Sequence, residues 1–326
     1  MARKRRTVLE VSETTEQPLL PGGDNWESCV QVFMEDLTLR NLSWHTKRHH
    51  QENINGVQRL ITFIGFSTDH KKISTDMFKK LIVHMLEKEK LSSTTVNHRI
   101  RTSKQFFAFL VQEGYLPDDP LKNIKKVKAP KTIIEAFTRD QMRSLLDQPD
   151  KKTFVGFRDY CIMLVLLDTG LRLSELLNIR LDDINLNQRK IKVMGKGAKE
   201  RNVYFETTTR DALKRYIAIR GDNLHHSFLW ISHQDEPYNR NSLQDRLPRY
   251  GKQAGLKNVR VSPHTFRHTF AKLFILNGGN TLALQKLLGH STLEMVRHYV
   301  NLWGTDLQAM HRQYSPVDNL MGKNIN

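Results

Sequence analysis

Six polar residues in the C-terminal half of the chain have side chains that together could transfer a phosphoryl group. They are Arg172 in TGLRLSEL, Lys196 in MGKGAKER, His264 and Arg267 in SPHTFRHTF, His290 in LLGH, and Tyr299 in VRHYV. Two guanidiniums can clamp a phosphate through charge-assisted hydrogen bonds. A lysine and two imidazoles can move protons, and a phenol can attack phosphorus. With an ordinary phenol pKa of about 10, such a tyrosine needs a nearby base or a cationic pocket at neutral pH. The reaction would proceed without a metal and without a bound cofactor.

The local sequence says which elements must carry these residues. Phe157 to Asp168 is apolar almost all round, which predicts a central helix stopped at Thr169-Gly170. A new helix is expected from Arg172 to Asn178, placing Arg172 at an N-terminus, where backbone amides favour an anion. Glu175, one turn later, could hold the guanidinium. Taken alone, Arg172 reads equally well as its surface partner. Lys190–Met194 and Arg201–Phe205 alternate polar and apolar residues, with Ile191, Val193, Val203 and Phe205 on the apolar sides. They predict a β-hairpin whose glycine-flanked tip carries Lys196; an ordinary exposed lysine would look the same. Ser262-Pro263 is a clean helix start, and His264 and Arg267 then share a face in the first turn. His268 lies four after His264, but no acid or cysteine nearby completes a zinc site. His290 occupies the turn after Leu287-Leu288-Gly289, and Ser291-Thr292-Leu293-Glu294 opens the helix bearing Tyr299. In isolation Tyr299 reads as packing beside Leu293, Val296, Val300 and Trp303.

Composition narrows the partners. The 326 residues carry a formal charge of +17 with 39% hydrophobic residues, enough to fold two ordinary domains. A positive surplus of this size suits a polyanion, and double-stranded DNA is the densest candidate. No stretch approaches the ~20 apolar residues of a membrane span. The opening MARKRR has no apolar segment behind it and does not read as a secretory signal. Two cysteines, Cys29 and Cys161, exclude a disulfide framework and fit a reducing, cytoplasmic setting.

Residues 1–24 read as a flexible basic tail. From Trp26 to Tyr115 the pattern is helical: Val30, Phe33, Met34 and Leu37 form one apolar face, and further helices are expected over 43–64, 74–88 and 92–114. Two prolines and the lysines Lys122, Lys125, Lys126, Lys128 and Lys131 make 116–137 a flexible linker rather than packed structure. A second domain starts at the capping box Thr138-Arg139-Asp140-Gln141 and takes in 138–326.

The motifs TGLRLSEL, GKG, HTFR and LGH, with a tyrosine nine residues after the last histidine, resemble the tyrosine recombinase (phage integrase) family, and its Xer-like bacterial members most closely. That resemblance implies a mainly α, two-domain fold. Residues 25–115 would form a helical core-binding domain. Residues 138–326 would form an α-rich catalytic domain with a small antiparallel β-sheet and a C-terminal tail. It implies a site-specific DNA recombinase in which Tyr299 forms a 3′-phosphotyrosine and Arg172 and Arg267 bind the phosphate. Lys196 would protonate the leaving 5′-oxygen, His264 would help accept the phenol proton, and His290 would hydrogen-bond the phosphate. It also implies a homotetramer on two DNA sites with exchange of a C-terminal segment; in 304–326 the stripe Leu307, Met310 and Tyr314 could serve. A topoisomerase-like relaxing enzyme and a non-catalytic DNA-binding protein are the alternatives.

Overall fold

Asn25 caps helix α1 (Trp26–Leu39) by accepting from the Ser28 amide, and serines do the same for three more helices. Ser43 caps α2 (Trp44–Phe63), Ser74 caps α3 (Thr75–Glu87) and Ser92 caps α4 (Ser93–Gln112). Each oxygen satisfies an amide that the first helical turn leaves without a partner. The structure is a computed structural model describing residues 25–129, 136–195, 200–222, 225–289 and 317. Its contacts divide the chain into two units, Met1–Lys131 and Thr132–Asn326.

In the first unit, α1, α2 and α4 pack around an aromatic centre. Trp26, Phe33, Phe106 and Phe107 are almost wholly buried, with the Phe33 and Phe106 rings 5.5 Å apart, edge to face. The expected linker departs from its reading here. From Leu116 to Val127 it lies on this core: Leu121 and Ile124 are buried and Val127 half-buried. Asn97 on α4 exchanges two hydrogen bonds with the Val127 backbone, and Lys104 Nζ donates to the Lys122 and Ile124 carbonyls. The lysine count hid an apolar residue at every third position, which is what fixes the segment. The basic tail expected over 1–24 lies outside the described residues.

The second unit is organised on α6 (Phe154–Thr169), buried on nearly every side as its composition requires. It begins three residues before the expected start, because Thr153 caps it. Helices α5 (Arg139–Leu146), α8 (Thr207–Arg220) and α10 (Pro263–Leu276) pack on it. Strands β2 (Lys190–Met194) and β3 (Glu200–Tyr204) pair antiparallel with Val193 opposite Arg201, and β1 (Ile184–Asn185) adds a third strand beyond β2. The expected hairpin is therefore part of a three-stranded sheet. Short α7 (Leu173–Leu177), α9 (Arg240–Gln253) and α11 (Thr281–Leu288) complete the α-helices among the described residues. A buried carboxylate ties α9 to α6: Asp159 accepts from Arg158, Arg246 and the Tyr250 hydroxyl. Among the described residues no helix is long and apolar enough to cross a membrane.

Candidate active site

Arg172 is the N-cap of α7, and its own backbone amide donates to Glu175 Oε2 at 2.9 Å. Its guanidinium reaches two groups: Nη1 donates to Glu175 Oε1 at 2.9 Å and Nη2 to the Gly289 carbonyl at 3.2 Å. The side chain keeps 32% of its surface exposed, while that of Glu175 keeps 4%. A second arginine, Arg201 on β3, grips both oxygens of the same carboxylate at 2.9 Å. Burial opposes the charge on Glu175, but the bonds from Arg201 and Arg172 outweigh it and hold the carboxyl below its ordinary range.

Ser262 and Pro263 open α10 as expected, so His264 and Arg267 fall in its first turns. They diverge. Arg267 turns inward and is only 4% exposed, with Nη1 donating to the Gly170 carbonyl and Nη2 to the Leu288 carbonyl, both at 2.7 Å. His264 faces solvent. The C-terminal end of α11 is thus a common anchor. Leu287, Leu288 and Gly289 offer their carbonyls to Arg201, Arg267 and Arg172 respectively. Those carbonyls have no partner within the helix, and the helix dipole favours cations there. Gly170, which ends α6 at φ +62°, brings a further carbonyl to Arg267.

The open side of this arrangement is a cleft of about 380 Å3 lined by Arg172, Arg240, Gln244, Arg260 and His264 among others. Three guanidiniums and an imidazole face it, and no carboxylate is among its described lining residues. Partial burial, then Arg267, Arg260, Arg172 and Arg240, keeps the His264 imidazole below its ordinary pKa of 6.5. The imidazole is therefore neutral, and able to accept a proton, at physiological pH. Tyr238 and Tyr250 are poor nucleophiles: burial, then the Asp159 carboxylate, pushes each phenol up to about 12. Among the described residues no group of three or more His, Cys, Asp or Glu is placed to hold a metal ion.

Of the six residues singled out in the sequence, the structure gathers Arg172, His264 and Arg267 around α7, α10 and the end of α11. Lys196, His290 and Tyr299 lie outside the described residues. In sequence two of them adjoin elements that are described, Lys196 between β2 and β3 and His290 directly after Gly289. Arg201, Arg240 and Arg260 were not foreseen. For Arg201 the signal was present, since it shares the inward parity of Val203 along β3. For Arg240 and Arg260 nothing in the local sequence separates them from the many other basic residues.

Two family profiles match the chain: the phage integrase family over residues 135–303, and the phage integrase N-terminal SAM-like domain over 30–114. A tyrosine recombinase XerC of Thermodesulfovibrio yellowstonii is 29% identical over 287 residues, covering 85% of this chain and 93% of the relative. A XerC of Myxococcus xanthus is 33% identical over 225 residues, covering 67% and 75%. Among solved structures, the Tn1549 transposon integrase in complex with a circular intermediate DNA covers 90% of this chain and 99% of its own, at 19% identity and a TM-score of 0.69. XerH bound to a palindromic difH substrate covers 90% and 83%, at 20% identity and a TM-score of 0.69; at these identities the likeness is one of fold. The catalytic profile takes in Arg172, Lys196, His264, Arg267, His290 and Tyr299, and about half of the whole chain, and with the XerC relatives it shows that this chain belongs to the phage integrase family of tyrosine recombinases, enzymes that break and rejoin DNA.

Proposed function

We propose that this recombinase cleaves each DNA strand with Tyr299 as nucleophile and rejoins it to a second duplex at a specific site. The observation that carries this reading is the cationic cleft beside α7 and α10, lined by Arg172, Arg240, Arg260 and His264 with no carboxylate among its described lining residues. A phosphodiester seated there would meet the Arg172 guanidinium already oriented by Glu175, with Arg267 held from below by two carbonyls. Charge fixed in advance is worth most as the pentacoordinate transition state gathers negative charge. Neutral His264 helps take the phenol proton, His290 hydrogen-bonds the phosphate, and Lys196 protonates the departing 5′-oxygen. The 3′-phosphotyrosine conserves the phosphodiester bond energy, so the reverse attack by a 5′-hydroxyl needs no nucleotide cofactor.

Double-stranded DNA is the partner in this reading. The Tn1549 integrase structure named above is in complex with DNA, and the +17 charge supports the same partner here. The family resemblance extends the proposal to a homotetramer on two sites, with exchange of the C-terminal segment over 304–326, acting in the cytoplasm. Residues 25–115 are the core-binding domain and 138–326 the catalytic domain in this scheme.

Mapping of covalent protein–DNA junctions in the host genome would supply the site, and a nicked suicide substrate of that site would trap the intermediate. Tyr299→Phe is expected to bind this substrate and form no adduct, while the native protein accumulates one. A persisting adduct would assign the nucleophile to another residue. Strand exchange, rather than relaxation alone, on a two-site plasmid separates recombination from a topoisomerase-like activity.

A further inference from the structure

We propose that Arg201 is a positioning residue for the cleavage step: it holds Arg172 and the end of α11 in working geometry without itself touching DNA. The proposal rests on the assignment of Arg172 to the scissile phosphate.

A single guanidinium here joins three elements. From β3, Arg201 Nη1 and Nη2 meet Glu175 Oε1 and Oε2 on α7, each at 2.9 Å, the parallel two-bond geometry that only arginine makes with a carboxylate. Its Nε donates to the Leu287 carbonyl at 3.0 Å, at the last turn of α11. The guanidinium also lies close to Gly289: a Cβ added there would come 3.1 Å from Arg201 Cζ. The Arg201 side chain is 14% exposed and that of Glu175 4%. With its named bonds directed inward to Glu175 and Leu287, Arg201 is placed to act on neighbours rather than on a ligand.

Two consequences converge on Arg172. Glu175 receives Arg201 on one side and Arg172 on the other, so the first pair fixes the carboxylate that orients the second. The backbone that Arg201 tethers at Leu287 continues to Leu288 and Gly289, whose carbonyls hold Arg267 and Arg172. Arg201 also sits opposite Val193, one residue pair in from the end of the β2–β3 ladder. The base of the hairpin whose tip carries Lys196 in sequence is thereby fixed to the same node. Loss of the two-bond grip frees Glu175 to rotate, and the clamp loosens although every clamp residue is still present.

The test is single-turnover adduct formation on the nicked suicide substrate at saturating protein, alongside measured DNA affinity and thermal melting. Arg201→Lys keeps the charge and loses the fork. It is expected to bind DNA like the native chain and to cleave about 10²-fold more slowly, the scale of an ångström-level misplacement of a reacting group. In an Arg172→Ala background the same substitution is expected to cost clearly less than it does in the native chain, because residues acting through one another are not additive. Three results overturn the proposal: native cleavage by Arg201→Lys, a loss confined to affinity, or an undiminished loss in the Arg172→Ala background. Should Arg201→Lys melt below the assay temperature, Glu175→Gln loosens the same fork at nearly constant shape and carries the same expectations and the same refutations. Tyr299→Phe run in parallel separates the two levels. An adduct with Tyr299→Phe sinks the site assignment itself, whereas a lost adduct with native cleavage by Arg201→Lys sinks only the role of Arg201.

Discussion

Replacing Gly170 by alanine would test whether the junction between α6 and α7 holds both the fold and the clamp. Gly170 has φ +62°, and a Cβ there would lie 2.5 Å from Phe270 Cδ1 and 2.9 Å from Leu288 Cδ2. The left-handed backbone alone costs an L-residue about 1–2 kcal/mol. Forcing a methyl group into a filled core adds about 1–3 kcal/mol. The sum of about 2–5 kcal/mol corresponds to a fall in melting temperature of about 4–20 °C for a domain of this size. Gly255 supplies the control: it also has a positive φ, +64°, but open space around its missing side chain. Gly255→Ala should therefore show only the backbone cost, and the gap between the two variants measures the packing. A second readout is chemical. The Gly170 carbonyl holds Arg267 and the crowded Leu288 supplies the other anchor. Gly170→Ala should therefore slow adduct formation at temperatures where it remains folded, whereas Gly255→Ala should not. Equal melting losses would show that Phe270 and Leu288 yield without cost. Native cleavage by a folded Gly170→Ala would show that the anchor does not position Arg267.

Lys196→Ala should block cleavage of ordinary DNA and be rescued by a 5′-bridging phosphorothiolate, whose thiolate leaves without a proton; equal impairment on both substrates would make Lys196 a positioning group and Lys199 the next acid to examine. His264, held below 6.5 in the folded protein, should titrate below that value when followed by NMR. Because the unfolded chain then binds the proton more readily, its effect on stability is absent above pH 6.5 and destabilising as pH falls toward the folded pKa. An inflection above 6.5 would contradict the cationic surroundings described for it.

The sequence made the two-domain helical architecture legible because its punctuation is strong: serine caps, Ser262-Pro263 and Gly170 each mark an element end that the structure reproduces. Arg172, His264 and Arg267 were legible through motif wording, and Glu175 through its one-turn spacing from Arg172. The rest depended on tertiary contacts that leave little local trace. Leu121, Ile124 and Val127 repeat at intervals of three within a lysine-rich stretch, and composition outweighed periodicity in the reading. The strand β1, two residues long, is too short to show alternation. Arg240 and Arg260 enter the cleft only because α9 and the approach to α10 are folded beside α7. The divergence of His264 and Arg267 likewise comes from the carbonyls waiting at Gly170 and Leu288, which no side-chain pattern announces.

Besides the Glu175 carboxylate, the guanidiniums of Arg172, Arg201 and Arg267 are seated on main-chain oxygens, those of Gly170, Leu287, Leu288 and Gly289. At Leu287 and Leu288 an alanine substitution leaves the oxygen in place, so a side-chain scan does not test these two seats directly. Amide-to-ester replacement by semisynthesis weakens a chosen carbonyl as an acceptor without altering any side chain, and is the kind of perturbation this site should register. The same property leaves the side chain of Leu287 free to drift in sequence while its oxygen continues to seat Arg201, so relatives could differ there and still share the clamp atom for atom.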